Sequence, residues 1–149
     1  MRAVVERVCR AAVKVGGQTV GQVRTGLLVY VAAAPDDSDD DVRYIAEKVA
    51  HLRIFPDENR KMNLDVGQVG GGVLVVSAFS VQADARHGRR PAFDGSASSA
   101  VAEPLIDKLV AAIRGFGLPV ETGRFGAYMR VAAVNDGPIC ILLDSRRAI

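Results

Sequence analysis

The sequence has little of what most enzymes use for acid, base or nucleophilic work. Its 149 residues include two histidines, His51 and His87, and two cysteines, Cys9 and Cys140. Two cysteines make no disulfide framework, and neither belongs to a CxxC pair. The histidines form no HExxH or HxH pattern, so no zinc site, and no other metal or cofactor, is expected. A Ser–His–Asp hydrolase would need one of them as its base, and no GxSxG turn is present to carry the serine. Gly70-Gly71-Gly72 lacks the spacing of a phosphate loop. Long apolar runs are missing too: the longest, Leu27 to Ala34, falls well short of the ~20 residues a membrane span needs. Arg2 and Glu6 stand where a signal peptide would be apolar, which points to a cytoplasmic protein. Nor does one sign of charge dominate: 19 Lys and Arg face 17 Asp and Glu, a balance that permits a nucleic-acid partner without indicating one.

What is present is a core. Hydrophobic residues make up 49% and charged residues 24%, the composition of one globular domain over residues 1–149. Charge is local: an acidic block at Asp36, Asp37, Asp39, Asp40 and Asp41, and basic clusters at Arg86, His87, Arg89 and Arg90 and at Arg146 and Arg147. Any one of these patches reads first as a solvated loop face.

Residues 2–15 alternate, with Ala3, Val5, Cys9, Ala11, Val13 and Val15 apolar, as a half-buried strand requires. Arg7 breaks the pattern on the apolar side, and a buried guanidinium needs partners unless it snorkels to an edge. Gly16-Gly17 predicts a hairpin back into residues 18–24, and Leu27 to Val31 a central strand. Val42, Ile45, Ala46, Val49 and Leu52 lie at helical spacing behind the aspartates. A short strand within 60–66, a strand over 73–81 and a second helix from Ser99 or Glu103 to Phe116 follow. Last come two strands, 128–134 and 138–143, around an Asn135-Asp136-Gly137 hairpin. The fold class is therefore α+β: a mostly antiparallel sheet of six or seven strands with two helices covering one side.

Two segments carry polar groups where chemistry is plausible. At Ser77-Ala78-Phe79-Ser80-Val81 an apolar strand turns polar, supplying the hydroxyls and amides from which an oxyanion hole is built, or simply a strand edge with local caps. At Asn135-Asp136-Gly137-Pro138 a glycine lets the backbone approach a ligand closely, or merely makes a turn. Taken together, and with Glu6-Arg7-Val8, Arg53-Ile54-Phe55, Lys61-Met62-Asn63-Leu64, Arg90-Pro91-Ala92-Phe93 and Thr122-Gly123-Arg124-Phe125 in the same order, they resemble the SQFTL and NxGPxT motifs of the D-aminoacyl-tRNA deacylases over essentially the whole chain.

The resemblance implies a homodimeric, β-barrel-like fold that hydrolyses the ester between a D-amino acid, or glycine, and the 3′-terminal adenosine of tRNA. It implies that Phe79 and Ser80 present main-chain N–H groups to the oxyanion, with Ser77 and Ala78 beside them. It implies further that Gly137 and Pro138 form a cis dipeptide that enters the other subunit's pocket and rejects L-amino acids, and that Arg7 steadies that loop. By the same resemblance Phe125 and Met129 are expected to line the pocket, and the loop around Arg86 to Arg90 to touch tRNA phosphates. Water is expected to attack with help from the ribose 2′-hydroxyl, so that no base is required of the protein. The chain departs from the motifs at Ala78, where the family has glutamine, and at Ser80 and Cys140, where it has threonine. Two alternatives stay open: an inactive tRNA-binding dimer, its activity lost through Ala78 and Cys140, and a related deacylase of mischarged L-aminoacyl-tRNA with a trans Gly-Pro bond.

Overall fold

The computed structural model describes residues 1–149. The chain runs β1 (Arg2–Val15), β2 (Gln18–Val23), β3 (Gly26–Ala32), α1 (Asp39–His51), β4 (Phe55–Pro56), β5 (Met62–Leu64), β6 (Gly72–Ser77), α2 (Ser99–Gly115), β7 (Val120–Thr122) and β8 (Arg130–Asp144). β1 organises the sheet. Its first half pairs with β3, its second half pairs with β2, and β8 runs antiparallel along its other edge. The β1–β2 turn uses Gly16 and Gly17, both at positive φ (55° and 81°), as a two-residue hairpin demands. β6 lies parallel to β3, and β7 parallel to β6.

The sheet curls until β2 meets β7. A Cβ on Gly21 would stand 2.2 Å from the Thr122 carbonyl oxygen, so only glycine lets these edges close. The strands are consequently buried on both faces. Leu27, Val29, Val31, Val73 and Val75 face the helices, packing with Ile45, Val49, Leu109 and Ile113. Leu28, Leu74 and Val76 face the barrel interior with Val8, Ala11 and Val13.

The pairings of β1 with β2, β3 and β8 are antiparallel, as expected of most of the sheet, but the sheet is mixed, because β3, β6 and β7 are parallel neighbours. The unbroken apolar runs of β3 and β6 are the signature of such doubly covered strands. Three expectations need correction. The strand expected over 73–81 stops at Ser77: Ala78 N–H still donates to the Val31 carbonyl (2.9 Å), but β3 ends at Ala32 and the ladder has no further partner, so residues 79–82 coil into a 3-10 turn. The expected Asn-Asp-Gly hairpin is not one. β8 continues along β1, with Cys140 opposite Glu6 and Asn135 opposite Val8, so residues 136–139 bulge out against the single residue Arg7. Finally, Cys9 is exposed, not packed. Val5 belongs to the core under the helices and Val8 to the barrel interior, so the alternation changes phase before Cys9 is reached.

The acidic block is structural. Ser38 N–H donates to the Asp41 carboxylate (2.8 Å) at the start of α1, where acidic side chains also suit the helix dipole. The Met1 ammonium donates to Asp37 (2.6 Å) and to Ser145 Oγ (2.7 Å). Pro104 lies inside α2. No helix is long and apolar enough to cross a membrane.

Candidate active site

A cavity of about 500 Å³ opens beyond the C-terminal end of β6, between the start of α2 and the segment ahead of β8. Ser77, Ala78, Phe79, Ser80, Phe125 and Met129 all line it. Its floor is the 3-10 turn. The leading N–H groups of such a turn have no intrahelical acceptor, and those of Phe79 and Ser80 donate to no turn, loop or side-chain acceptor. The turn is held from below by buried Gln82, whose Nε2 reaches the Ala32 carbonyl (3.4 Å). It is held from the side by Ser96, whose Oγ donates to the Phe79 carbonyl (2.9 Å). The Phe79 ring is 63% exposed and meets Phe93 edge to face, with centroids 5.0 Å apart.

The opposite wall depends on Gly123. Its N–H donates to the Val75 carbonyl (3.0 Å), and a Cβ there would lie 2.6 Å from Met129 Sδ. The missing side chain thus leaves the space in which Met129 sits. Phe125 is half-buried against the main core, so its position is fixed by packing.

No side chain lining this cavity titrates. It offers five serine hydroxyls, apolar side chains and backbone, with no Asp, Glu, His, Lys, Arg, Cys or Tyr. His51 packs edge to face on Phe116, and His87 lies in the exposed 84–92 loop. Burial, and secondarily the Glu6 carboxylate, push the Cys140 thiol above its ordinary value, which keeps it protonated at neutral pH. A larger cavity of about 930 Å³ lies beside the C-terminus, and each arginine that lines it is paired: Arg2 with Asp144, Arg86 with Asp84, and Arg146 with Asp36. Arg86, expected in a phosphate-binding loop, is thereby engaged, and its side-chain hydrogen bonds hold the Asp84 carboxyl well below the usual range.

Gly137 and Pro138 are exposed, joined by a cis bond, and do not line the 500 Å³ cavity of their own chain. The loop they occupy is rigidly held. Arg7, buried, donates from Nε to the Asp136 carbonyl (3.1 Å) and from a terminal nitrogen to the Ile54 carbonyl (2.6 Å), and it pairs with the Asp136 carboxylate (3.1 Å). Asn135 clamps the bulge: its Oδ1 accepts from Ile139 N–H (2.9 Å) and its Nδ2 donates to the Ile139 carbonyl (3.0 Å). Gly137 has φ +132°, a conformation that L side chains rarely adopt. Sequence reasoning missed Asn135 and Asp136 as side-chain partners because it read them as turn residues. It also missed the contacts of Phe93 and Ser96 with residue 79, from which both are distant in the chain; Phe93 was visible only as part of the Arg90-Pro91-Ala92-Phe93 stretch.

A family model described as D-Tyr-tRNA(Tyr) deacylase matches residues 4–144. The chain belongs to the D-Tyr-tRNA(Tyr) deacylase family. Proteins named D-aminoacyl-tRNA deacylase from Koribacter versatilis (strain Ellin345) and Thermosipho africanus (strain TCF52B) are 52% and 48% identical to it over 147 residues, which is 99% of each chain. A solved structure titled c-Myc DNA Unwinding Element Binding Protein superimposes with TM-score 0.91 at 32% identity, covering 97% of this chain and 98% of that one. The structure of a probable eukaryotic D-amino acid tRNA deacylase shares the fold, with TM-score 0.83 at 17% identity over 95% of this chain and 97% of its own. In this member of the D-Tyr-tRNA(Tyr) deacylase family, residues 77–80 line the cavity at the end of β6, and Gly137 and Pro138 sit in the 136–139 bulge.

Proposed function

We propose that this chain hydrolyses the ester between a D-amino acid and the 3′-terminal adenosine of tRNA, and also clears glycine mischarged on other tRNAs. The observation that carries the reading is the cavity wall itself: two main-chain N–H groups without intrahelical acceptors, surrounded by hydroxyls, and no side chain able to act as a base. Water attacks the ester carbonyl, assisted by the ribose 2′-hydroxyl of the substrate. Phe79 and Ser80 N–H receive the developing oxyanion, and the 3′-oxygen leaves with a proton as the free tRNA hydroxyl. Ser80 need not become a nucleophile, since nothing nearby would take its proton. The replacement of glutamine at Ala78 leaves this machinery untouched, because the machinery is backbone.

The working unit is a homodimer. Pairing only with β1, the 15-residue β8 leaves its far edge open, with Val134 and Leu142 exposed along it, and a long edge strand of this kind calls for cover. Gly137 and Pro138, held outward by Arg7 and Asn135, enter the partner subunit's cavity, where their carbonyl oxygens face the substrate α-carbon and amino group. A D side chain points away from those oxygens and an L side chain collides with them. Rejection by collision discriminates beyond what one added contact achieves.

The test is to incubate the protein with D-tyrosyl-tRNA, L-tyrosyl-tRNA and L-alanyl-tRNA and to follow release of the amino acid. Release from the D ester alone is the expected result. Release from L-alanyl-tRNA would select the related L-specific deacylase instead, and binding without release would select the inactive tRNA-binding dimer.

A further inference from the structure

We infer that Ser96 is a positioning residue for the oxyanion donors: its hydroxyl locks the plane of the 79–80 peptide, and so fixes where the Ser80 N–H points. The inference rests on the deacylase reading above and adds to it a residue outside both family motifs.

The argument starts from the peptide unit. The Phe79 carbonyl and the Ser80 N–H belong to one planar trans amide and point in opposite directions, so holding one determines the other. A 3-10 turn of four residues holds its first peptide weakly: its leading N–H groups have no acceptor within the turn, and the i→i+3 bonds to its carbonyls have poorer geometry than those of an α-helix. A further restraint comes from outside. Ser96 Oγ donates to the Phe79 carbonyl at 2.9 Å. Ser96 is itself held, its own N–H donating to the Phe93 carbonyl (2.9 Å) in a turn, and the next residue, Ala97, donating to the Ala33 carbonyl (2.9 Å) just after β3. Phe93, at the other end of that turn, sets its ring against the Phe79 ring. Residues 93–97 therefore form a brace, tied to the sheet, that touches residue 79 at both its side chain and its carbonyl.

Two consequences follow for the reaction. A donor that is already aimed costs no reorganisation when the oxyanion forms, which is where such donors act most strongly. A hydrogen bond accepted at the carbonyl also polarises the amide and strengthens its N–H as a donor. The hydroxyl is thereby committed to the carbonyl and is not a spare nucleophile, although Ser96 lines the cavity.

Ser96→Ala tests this, with Ser96→Thr as the variant that restores the hydroxyl. For D-aminoacyl-tRNA, Ser96→Ala should lower kcat about tenfold, what one net hydrogen bond is worth at the transition state, with KM and Tm little changed. Ser96→Thr should recover most of the loss. Independently of turnover, the Ser80 amide proton resonance should move upfield in Ser96→Ala and return in Ser96→Thr, as weaker polarisation of the amide requires. Normal kcat in Ser96→Ala, a change in KM alone, or an unmoved Ser80 resonance would overturn the inference while the deacylase reading stands. If the unaltered protein releases no D-amino acid, the deacylase reading fails and the catalytic role of Ser96 fails with it, whatever the resonance does.

Discussion

Replacing Arg7 by methionine removes the guanidinium while keeping most of the side-chain volume, and the cost follows from its three contacts. The bond to the Ile54 carbonyl is buried, and leaving that oxygen without a donor costs about 1–3 kcal/mol. The Asp136 carbonyl and carboxylate sit on a loop whose aspartate side chain is 48% exposed, so water replaces much of what they lose. The ion pair accordingly adds at most about 1 kcal/mol. Arg7→Met should therefore destabilise the fold by about 1–4 kcal/mol in urea unfolding. It should also lower D-aminoacyl-tRNA turnover by more than the unfolded fraction explains, because the 136–139 bulge is released from β1. Arg7→Lys keeps the charge but lacks the fork that spans Ile54 and Asp136, so it should fall between methionine and the native residue. An Arg7→Met protein as stable and active as the original would refute the bracing role.

Three further outcomes are expected. Gly137→Ala places a Cβ 2.6 Å from Ile139 Cγ1 at a φ that alanine resists, so turnover should fall at least about tenfold and the urea midpoint should drop by the equivalent of about 1–3 kcal/mol of native-state strain. Asn135→Asp replaces the donor facing the Ile139 carbonyl with a second oxygen, so kcat should drop and amide exchange at Ile139 should quicken, as measured by NMR. Asp41 reports on acid stability. Partial burial alone would raise its carboxyl, but bonds from Ser145 and Ser38 and the nearby Met1 ammonium bring it from the ordinary 3.8 down to about 2. Its stabilisation is complete above the unfolded value and is lost as pH falls from about 4 toward 2. Urea midpoints over that range should fall more steeply for the native chain than for Asp41→Asn, by about 1–2 kcal/mol for this partly solvated group.

How much was legible depended on the range over which each feature is decided. α1 and α2 were readable because helical spacing and capping are local, and the Gly16-Gly17 hairpin because its turn chemistry is. The exposure of Cys9 and the run of β8 past Asn135 were not, because both follow from register against β1 more than a hundred residues away in the chain for β8. An Asn-Asp-Gly segment looks like a hairpin until a long strand on one side offers partners to both of its flanks. The parallel pairing of β3 with β6 left a trace in their unbroken apolar runs, which fit strands covered on both faces. At the site, the polar end of β6 and the Gly-Pro pair were visible as motifs. The Ser96 and Phe93 contacts with Phe79 were invisible, since tertiary closure alone brings residues 79 and 96 together.

The most direct test of the account is the single-turnover rate of ester cleavage for D-tyrosyl and L-tyrosyl groups on the same tRNA. The account predicts that the D ester is cleaved at least about a hundredfold faster, the equivalent of ~2.7 kcal/mol between the two transition states. Equal rates for the two enantiomers would contradict it.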